Sequence, residues 1–133
     1  MGIDTFELNA ELERIARPVC LPSGTLLFHC GDPVSGIYII RTGRVTMFLE
    51  AESRSLANRI LGPGEIAGLP AALTGTYSLS AQVAEDADLG FIPADQVTAL
   101  LERFPHLCLI AARAMSDEIA RMRSGLRDTL PVH

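Results

Sequence analysis

The chain has 133 residues, of which 48% are apolar, and this composition is typical of one globular domain spanning residues 1–133 rather than of a disordered segment. Its formal net charge is −5, so the chain is a poor nucleic-acid binder by itself, and we find no helix-turn-helix pattern. No apolar run reaches the roughly 18 residues of a membrane span, and the acidic N-terminus is unlike a secretory signal. We therefore expect a cytoplasmic protein that contacts neither a membrane nor nucleic acid directly.

The N-terminal residues 4–16 are predicted to form a short helix. Its apolar side consists of Phe6, Leu8, Leu12 and Ile15. Pro18 is expected to end this helix, which would pack on the outside of a β-barrel.

Short β-rich runs alternate with Gly- and Pro-containing turns over residues 21–92, which predicts an antiparallel sandwich or roll. Thr42-Gly43 is predicted to be a two-residue hairpin connection. Ser80 is expected on the polar side of an alternating strand, opposite Leu79 and Ala81. The predicted strands are Thr25–Phe28, Gly36–Arg41, Arg44–Leu49, Leu56–Leu61, Tyr77–Val83 and Asp88–Ile92.

Two helices are predicted at the C-terminal end, over residues 94–104 and 105–127, the second beginning at Pro105. Apolar residues in the second helix follow the four-three spacing of a coiled-coil seam. Leu107, Ile110, Ala111 and Ala114 lie off this seam and are expected to face the chain's own roll. Either the helix packs on two surfaces, or one wide stripe faces a single core. The seam residues are Cys108, Ala112, Met115, Ile119, Met122 and Leu126.

Several of these short motifs lie at the spacing of a known family. They are Gly24, Leu27-Phe28, Gly31-Asp32, Tyr38-Ile39-Ile40, Gly43 and Val45, followed by the turn, helix, loop and strand pattern of residues 61–83. Over residues 6–127 the chain resembles the cyclic-nucleotide-binding-like sensor domain of CRP/FNR-type bacterial transcription regulators. The resemblance implies a mainly β, antiparallel jelly roll (a double-stranded β-helix) with a short N-terminal helix and a long C-terminal dimerisation helix. It also implies a homodimer that forms through the seam.

Residues 61–83 resemble the phosphate-binding cassette of that family. In the family, a glutamate after the second cassette glycine accepts from the ribose, and a later arginine pairs with the cyclic phosphate. In this sequence the glutamate position falls on Leu69 and the arginine position on Leu79, or on Ser78 after a shift by one residue. No basic residue lies between Arg59 and Arg103. The predicted ligand-binding positions are Gly64, Glu65, Gly68, Leu69, Leu79, Ser80 and Ala81.

Loss of both charged groups predicts weak binding of cyclic nucleotides. Each such hydrogen bond contributes about 1.5–3 kcal/mol, so losing two lowers affinity by roughly two to four decades. The resemblance then implies a regulatory sensor in transcriptional signalling whose pocket accepts another small-molecule effector or none. The alternatives are a genuine cyclic-nucleotide receptor with an atypical pocket and a ligand-free dimeric interaction module. Since the family helix leads into a DNA-binding domain, the chain is either a sensor cut from a longer protein or a stand-alone sensor.

Other chemistries lack the residues that they need. The three cysteines are too widely spaced for a disulfide framework or a zinc site, and they form no four-cysteine iron–sulfur set. The histidines at positions 29, 106 and 133 are not expected to converge inside the roll as a cupin metal site requires, and a haem ligand is a weaker interpretation than an ordinary histidine. No nucleophile motif is present. We therefore expect no enzyme activity, metal or cofactor. Cys108 is predicted to be a small buried side chain or to form a disulfide across the dimer axis.

Overall fold

A computed structural model describes residues 2–51, 54–110 and 112–113 of the chain. The fold is mainly antiparallel β with short helices, as the sequence predicted. The helices are α1 (Gly2–Ile15), α2 (Leu69–Thr74) and α3 (Ala94–Arg103), and residues 105–110 are also helical. The strands are β1 (Arg17–Leu21), β2 (Leu26–Phe28), β3 (Gly36–Ala51), β4 (Arg54–Leu61), β5 (Ile66–Ala67) and β6 (Ser80–Pro93).

One sheet of six strands contains β1, β6, β3 and β4 as neighbours, in that order. The short strands attach to the two central ones, because β2 pairs with β6 and β5 pairs with β3. Every pairing is antiparallel. This arrangement places β5, which lies in the predicted cassette, beside the first residues of β3, the longest strand.

The predicted hairpin at Thr42-Gly43 is wrong, because β3 continues through these residues. The chain instead forms an irregular, bulged stretch against β6, where the register shifts between Ile40 and Val45. Gly43 has φ of 89°, and a Cβ added there would lie 2.5 Å from the Asp86 carbonyl oxygen. A glycine with a positive φ therefore marks a bulge and a close backbone approach here, rather than a reversal of the chain.

Two other strand predictions also need correction. The predicted strands Tyr77–Val83 and Asp88–Ile92 are one continuous strand that begins at Ser80, and Tyr77 precedes it. Residues Arg17–Leu21, which had no predicted structure, form β1 along β6. Pro18 fits there because β1 is an edge strand, where a missing N–H does not interrupt the sheet.

The side chains of β3 separate two apolar cores. Ile40, Val45 and Met47 face the interior of the roll, whereas Ile37 and Ile39 face the helices. Burial on both faces explains why the start of this strand is continuously apolar rather than alternating. The helical core also contains side chains from α1 and α3, including Leu8, Leu12, Val97, Leu100 and Leu101.

The last helical residues have one buried and one exposed side. Leu107 is fully buried in the helical core and Ile110 packs against that core, as predicted for residues off the seam. Cys108 is exposed and Ala112 is partly exposed. Met115, Ile119, Met122 and Leu126, together with Ala111 and Ala114, lie outside the described residues. Among the helices that the structure describes, none is long and apolar enough to cross a membrane.

Candidate functional site

The first cassette turn is closed by its own carboxylate. One oxygen of Glu65 accepts from the backbone N–H of Gly62 at 2.7 Å, and the other accepts from the Arg59 guanidinium at 2.7 Å. The backbone of the turn is held on β3, since Gly64 donates to the Ile40 carbonyl and Ile40 donates to that of Glu65. Both oxygens of Glu65 therefore hold the turn. The same pairing engages Arg59, which is the nearest basic side chain before the cassette.

Helix α2 follows directly from Gly68, the second cassette glycine. Gly68 has φ of 94°, and a Cβ added there would lie 3.3 Å from Tyr77 and 3.4 Å from Phe28. A side chain at this position would strain the backbone, and the Tyr77 ring would have to move by a few tenths of an ångström. Pro70 has no N–H, and the N–H groups of Ala71 and Ala72 donate to the Gly68 carbonyl. The backbone donors at this end of α2 are thus largely used within the helix.

Leu69 and Leu79, the predicted glutamate and arginine positions, lie in different cores. Leu69 is buried in the helical core beside residues of α1 and α3, so it does not line the interior of the roll. Leu79 is only 3% exposed and belongs to the core of the roll. The structure therefore brings one of these two predicted positions into the roll and places the other against the helices.

Ser80 and Ala81 are both fully buried at the start of β6. The expectation that Ser80 lies on a polar surface is wrong, because its hydroxyl accepts from the backbone N–H of Cys30 at 2.9 Å. Ala81 pairs with Phe28 of β2 and contributes to the roll core. The segment that follows β2 thus covers the outer face of β6, and Ser80 holds the two segments together.

Tyr77 is the residue at this site that sequence reasoning missed. Its ring stacks on that of Phe28, with centroids 3.8 Å apart and planes 4° from parallel. Its hydroxyl donates to the Gly36 carbonyl at 2.7 Å and accepts from the backbone N–H groups of Ser35 and Gly36 at 3.2 Å each. A sequence signal for this position exists, because Tyr77 shares the parity of the buried Leu79, Ala81 and Val83.

These side chains leave almost no free space beneath the cassette. The cavity between α2, β2 and the start of β6 has a volume of about 10 Å³. That is about the minimum volume for a single water molecule. The residues that line it are Phe28, Met47, Gly68, Pro70, Ala71, Tyr77, Ser78 and Leu79.

Within residues 2–51, 54–110 and 112–113, no three His, Cys, Asp or Glu side chains lie close enough to hold a metal ion. Burial raises the pKa of Tyr38, with a smaller contribution from the neighbouring Tyr77. The phenol of Tyr38 is therefore neutral at physiological pH.

The sequence pattern of the cyclic nucleotide-binding domain family matches residues 18–104. The chain is 33% identical over 122 residues to "Transcriptional activator protein anr" of Pseudomonas aeruginosa, covering 90% of this chain and 48% of that protein. It is also 33% identical over 124 residues to the "Cyclic AMP receptor protein" of Thermus thermophilus, covering 87% of this chain and 56% of that protein. The chain thus spans about half the length of these relatives.

The solved structures give the same fold. The catabolite activator protein of Thermus thermophilus superposes with a TM-score of 0.78 at 24% identity, over 93% of this chain and 62% of that one. The two relatives above are equally similar in sequence, and only one of their names contains a cyclic nucleotide. Overall similarity therefore assigns the fold and the family but does not select a ligand.

Proposed function

Because this chain belongs to the cyclic nucleotide-binding domain family, we propose that it is a CRP/FNR-type regulatory sensor module whose cassette does not bind cyclic nucleotides tightly. The module acts as a homodimer in transcriptional signalling in the bacterial cytoplasm. It carries out no catalysis itself, and its pocket accepts a small molecule other than cyclic AMP or cyclic GMP, or none.

The burial of Leu79 is the observation that carries this proposal. Leu79 occupies the position where the family has its phosphate-binding arginine, and it is 3% exposed within the roll core. A cyclic phosphate placed there would lose its water and gain no charged partner, which is strongly unfavourable. A shift of the alignment by one residue moves the position to Ser78, which carries no charge either.

The ribose side of the cassette supports the same conclusion. Leu69, at the family glutamate position, packs in the helical core. Glu65 is the nearest carboxylate, and both its oxygens are already bonded, to Arg59 and to the Gly62 N–H. A ribose bound through Glu65 would therefore have to share a carboxylate that already holds the turn.

The exposed side of the last helical residues supports the homodimer. Cys108, the first seam residue, is exposed in the single chain, whereas the neighbouring Leu107 is fully buried. Leu109 is 68% exposed. Apolar side chains that remain exposed at the start of a seam are the ones that a second copy of the helix would cover.

Isothermal titration with cyclic AMP and cyclic GMP tests the ligand part of the proposal. The Thermus cyclic AMP receptor protein, measured under the same conditions, is the positive control. We expect no heat of binding at ligand concentrations that saturate the control. Saturable binding to this chain at micromolar concentrations would restore an ordinary receptor and refute the proposal.

Analytical ultracentrifugation tests the homodimer. Ile119→Glu places a charge on the predicted seam and should convert the dimer to a monomer. Arg113→Glu, at an exposed position, is the control that should remain dimeric. A wild-type chain that stays monomeric at tens of micromolar would contradict the dimer.

The closed interior of the roll favours a second candidate, the ligand-free dimeric interaction module. A cavity of about 10 Å³ admits no metabolite. The two candidates differ in a screen of metabolites by thermal shift, because only a sensor with a ligand gains stability from one.

A further inference from the structure

We infer that Tyr77 is an internal ligand: its own ring occupies the space beneath the cassette and keeps the cassette closed without any bound molecule. The inference rests on the proposed function, because it takes residues 61–83 as the cassette. The inference names the residue whose side chain determines which ligands the roll can admit.

The ring of Tyr77 is held as a well-packed ligand would be. It is 2% exposed and lies flat on Phe28 at 3.8 Å between centroids, and its edge approaches Gly68 at the start of α2. Stacked rings of this kind gain from both apolar burial and ring–ring contact. The side chain thus contacts both Phe28 in the roll core and Gly68 in the cassette.

The hydroxyl of Tyr77 forms hydrogen bonds with a second part of the protein, the backbone that leads into β3. It bonds to the N–H and the carbonyl of Gly36 and to the N–H of Ser35, at the entrance to β3. The Ser35 hydroxyl also lies 3.2 Å away. Gly36 is buried, so displacing the ring would remove the hydroxyl that its N–H and carbonyl bond to.

The main chain at Tyr77 holds the same two segments together. Its N–H donates to the Asp32 carbonyl at 3.0 Å, and its carbonyl accepts from Gly31 at 2.8 Å. The end of the cassette loop is also fixed, because Val34 donates to the Gly75 carbonyl at 3.0 Å. The ring, hydroxyl and backbone of one residue therefore all act to close the cassette over the roll.

An external ligand would have to displace this ring, and removing the ring should create a site of matching shape. Tyr77→Ala should therefore bind phenol, which has the structure of the deleted ring and hydroxyl, in the space beneath the cassette. We expect saturating phenol to raise the thermal midpoint of Tyr77→Ala by several degrees and to leave the wild-type midpoint unchanged.

Tyr38→Ala is the matched control. Tyr38 is a half-buried tyrosine whose ring also lies near Phe28, at 6.4 Å between centroids, but it does not contact the cassette cavity. Its variant should show no response to phenol. An equal response in Tyr38→Ala, or no response in Tyr77→Ala, would overturn the inference.

Tyr77→Phe keeps the inference testable if the alanine variant does not fold. The ring remains and only the hydroxyl is lost, so the amides of Ser35 and Gly36 should exchange with solvent at least tenfold faster, while Tyr38→Phe leaves them unchanged. Unchanged exchange at both amides in Tyr77→Phe would refute a closing role for the hydroxyl.

The proposed function and the inference about Tyr77 can be refuted separately. If wild-type protein does not bind cyclic nucleotides and Tyr77→Ala does not bind phenol, only the internal ligand is refuted. If wild-type protein binds cyclic AMP, the proposed function is refuted, and the phenol and exchange results still decide the role of Tyr77.

Discussion

Restoring the family arginine should damage the fold rather than recreate a receptor. Leu79→Arg introduces a guanidinium at a position that is 3% exposed and surrounded by the roll core. The adjacent Ser78 is exposed, so Ser78→Arg introduces the same side chain one residue away. The pair also covers both alignments of the family arginine.

The expected loss follows from two contributions. Removing a buried leucine sacrifices about 2 kcal/mol of apolar burial. An uncompensated buried charge costs about 3–5 kcal/mol more. The total of about 5–7 kcal/mol is comparable to the whole stability of an ordinary domain, about 5–15 kcal/mol. Ser78→Arg should change the free energy of unfolding by no more than about 0.5 kcal/mol.

Urea unfolding monitored by circular dichroism measures both variants. Leu79→Arg should be largely unfolded in buffer or have a much lower midpoint, and Ser78→Arg should match the wild-type chain. If Leu79→Arg were as stable as Ser78→Arg, Leu79 would not be a core residue, and the reasoning about the closed roll would be wrong. Cyclic AMP that stabilised Leu79→Arg selectively would show a receptor site that lacks only its arginine.

Three further predictions concern the scaffold. Gly43→Ala should destabilise the chain by more than Gly24→Ala. Both glycines have a positive φ, so each substitution strains the backbone by about 1–2 kcal/mol, but of the two only Gly43 would also bring a Cβ within 2.5 Å of backbone. Equal losses of stability in urea unfolding would argue against the close approach. Burial raises the pKa of Tyr38 in the folded chain. The contribution of the neutral phenol to stability is therefore complete below about pH 10 and is lost as the pH rises further. Tyr38→Phe should flatten the decline in unfolding free energy between about pH 9 and pH 11, and an unchanged decline would assign that decline to other groups. Arg41→Gln breaks the half-exposed pair with Glu13 at 2.8 Å and should cost under about 1 kcal/mol, and less in high salt. Arg44→Gln should be nearly neutral, because its pair with Glu85 is more exposed. Thermal melts at low and high salt measure both losses, and a larger loss for Arg44→Gln would contradict the prediction.

The turn signals in the sequence were partly misread, and the errors share a cause. Thr42-Gly43 looks like a hairpin connection, and the polar residues between Val83 and Asp88 look like a break between strands. Both lie opposite each other in the sheet, where Arg44 pairs with Glu85. A bulge and a turn use the same residue types, so only the partner strand distinguishes them.

The sequence by itself determined the class of fold, the family and the absence of a basic residue from residues 61–83. Periodicity and turn residues are local properties, and the absence of a basic residue between Arg59 and Arg103 needs no coordinates. The tertiary structure alone decided which side chains share a core. It placed Leu69 with the helices and Leu79 in the roll, buried Ser80 against Cys30, and stacked Tyr77 on Phe28, from positions 49 residues apart (77 minus 28). Such contacts depend on how β2, α2 and β6 meet in space, which no local pattern specifies.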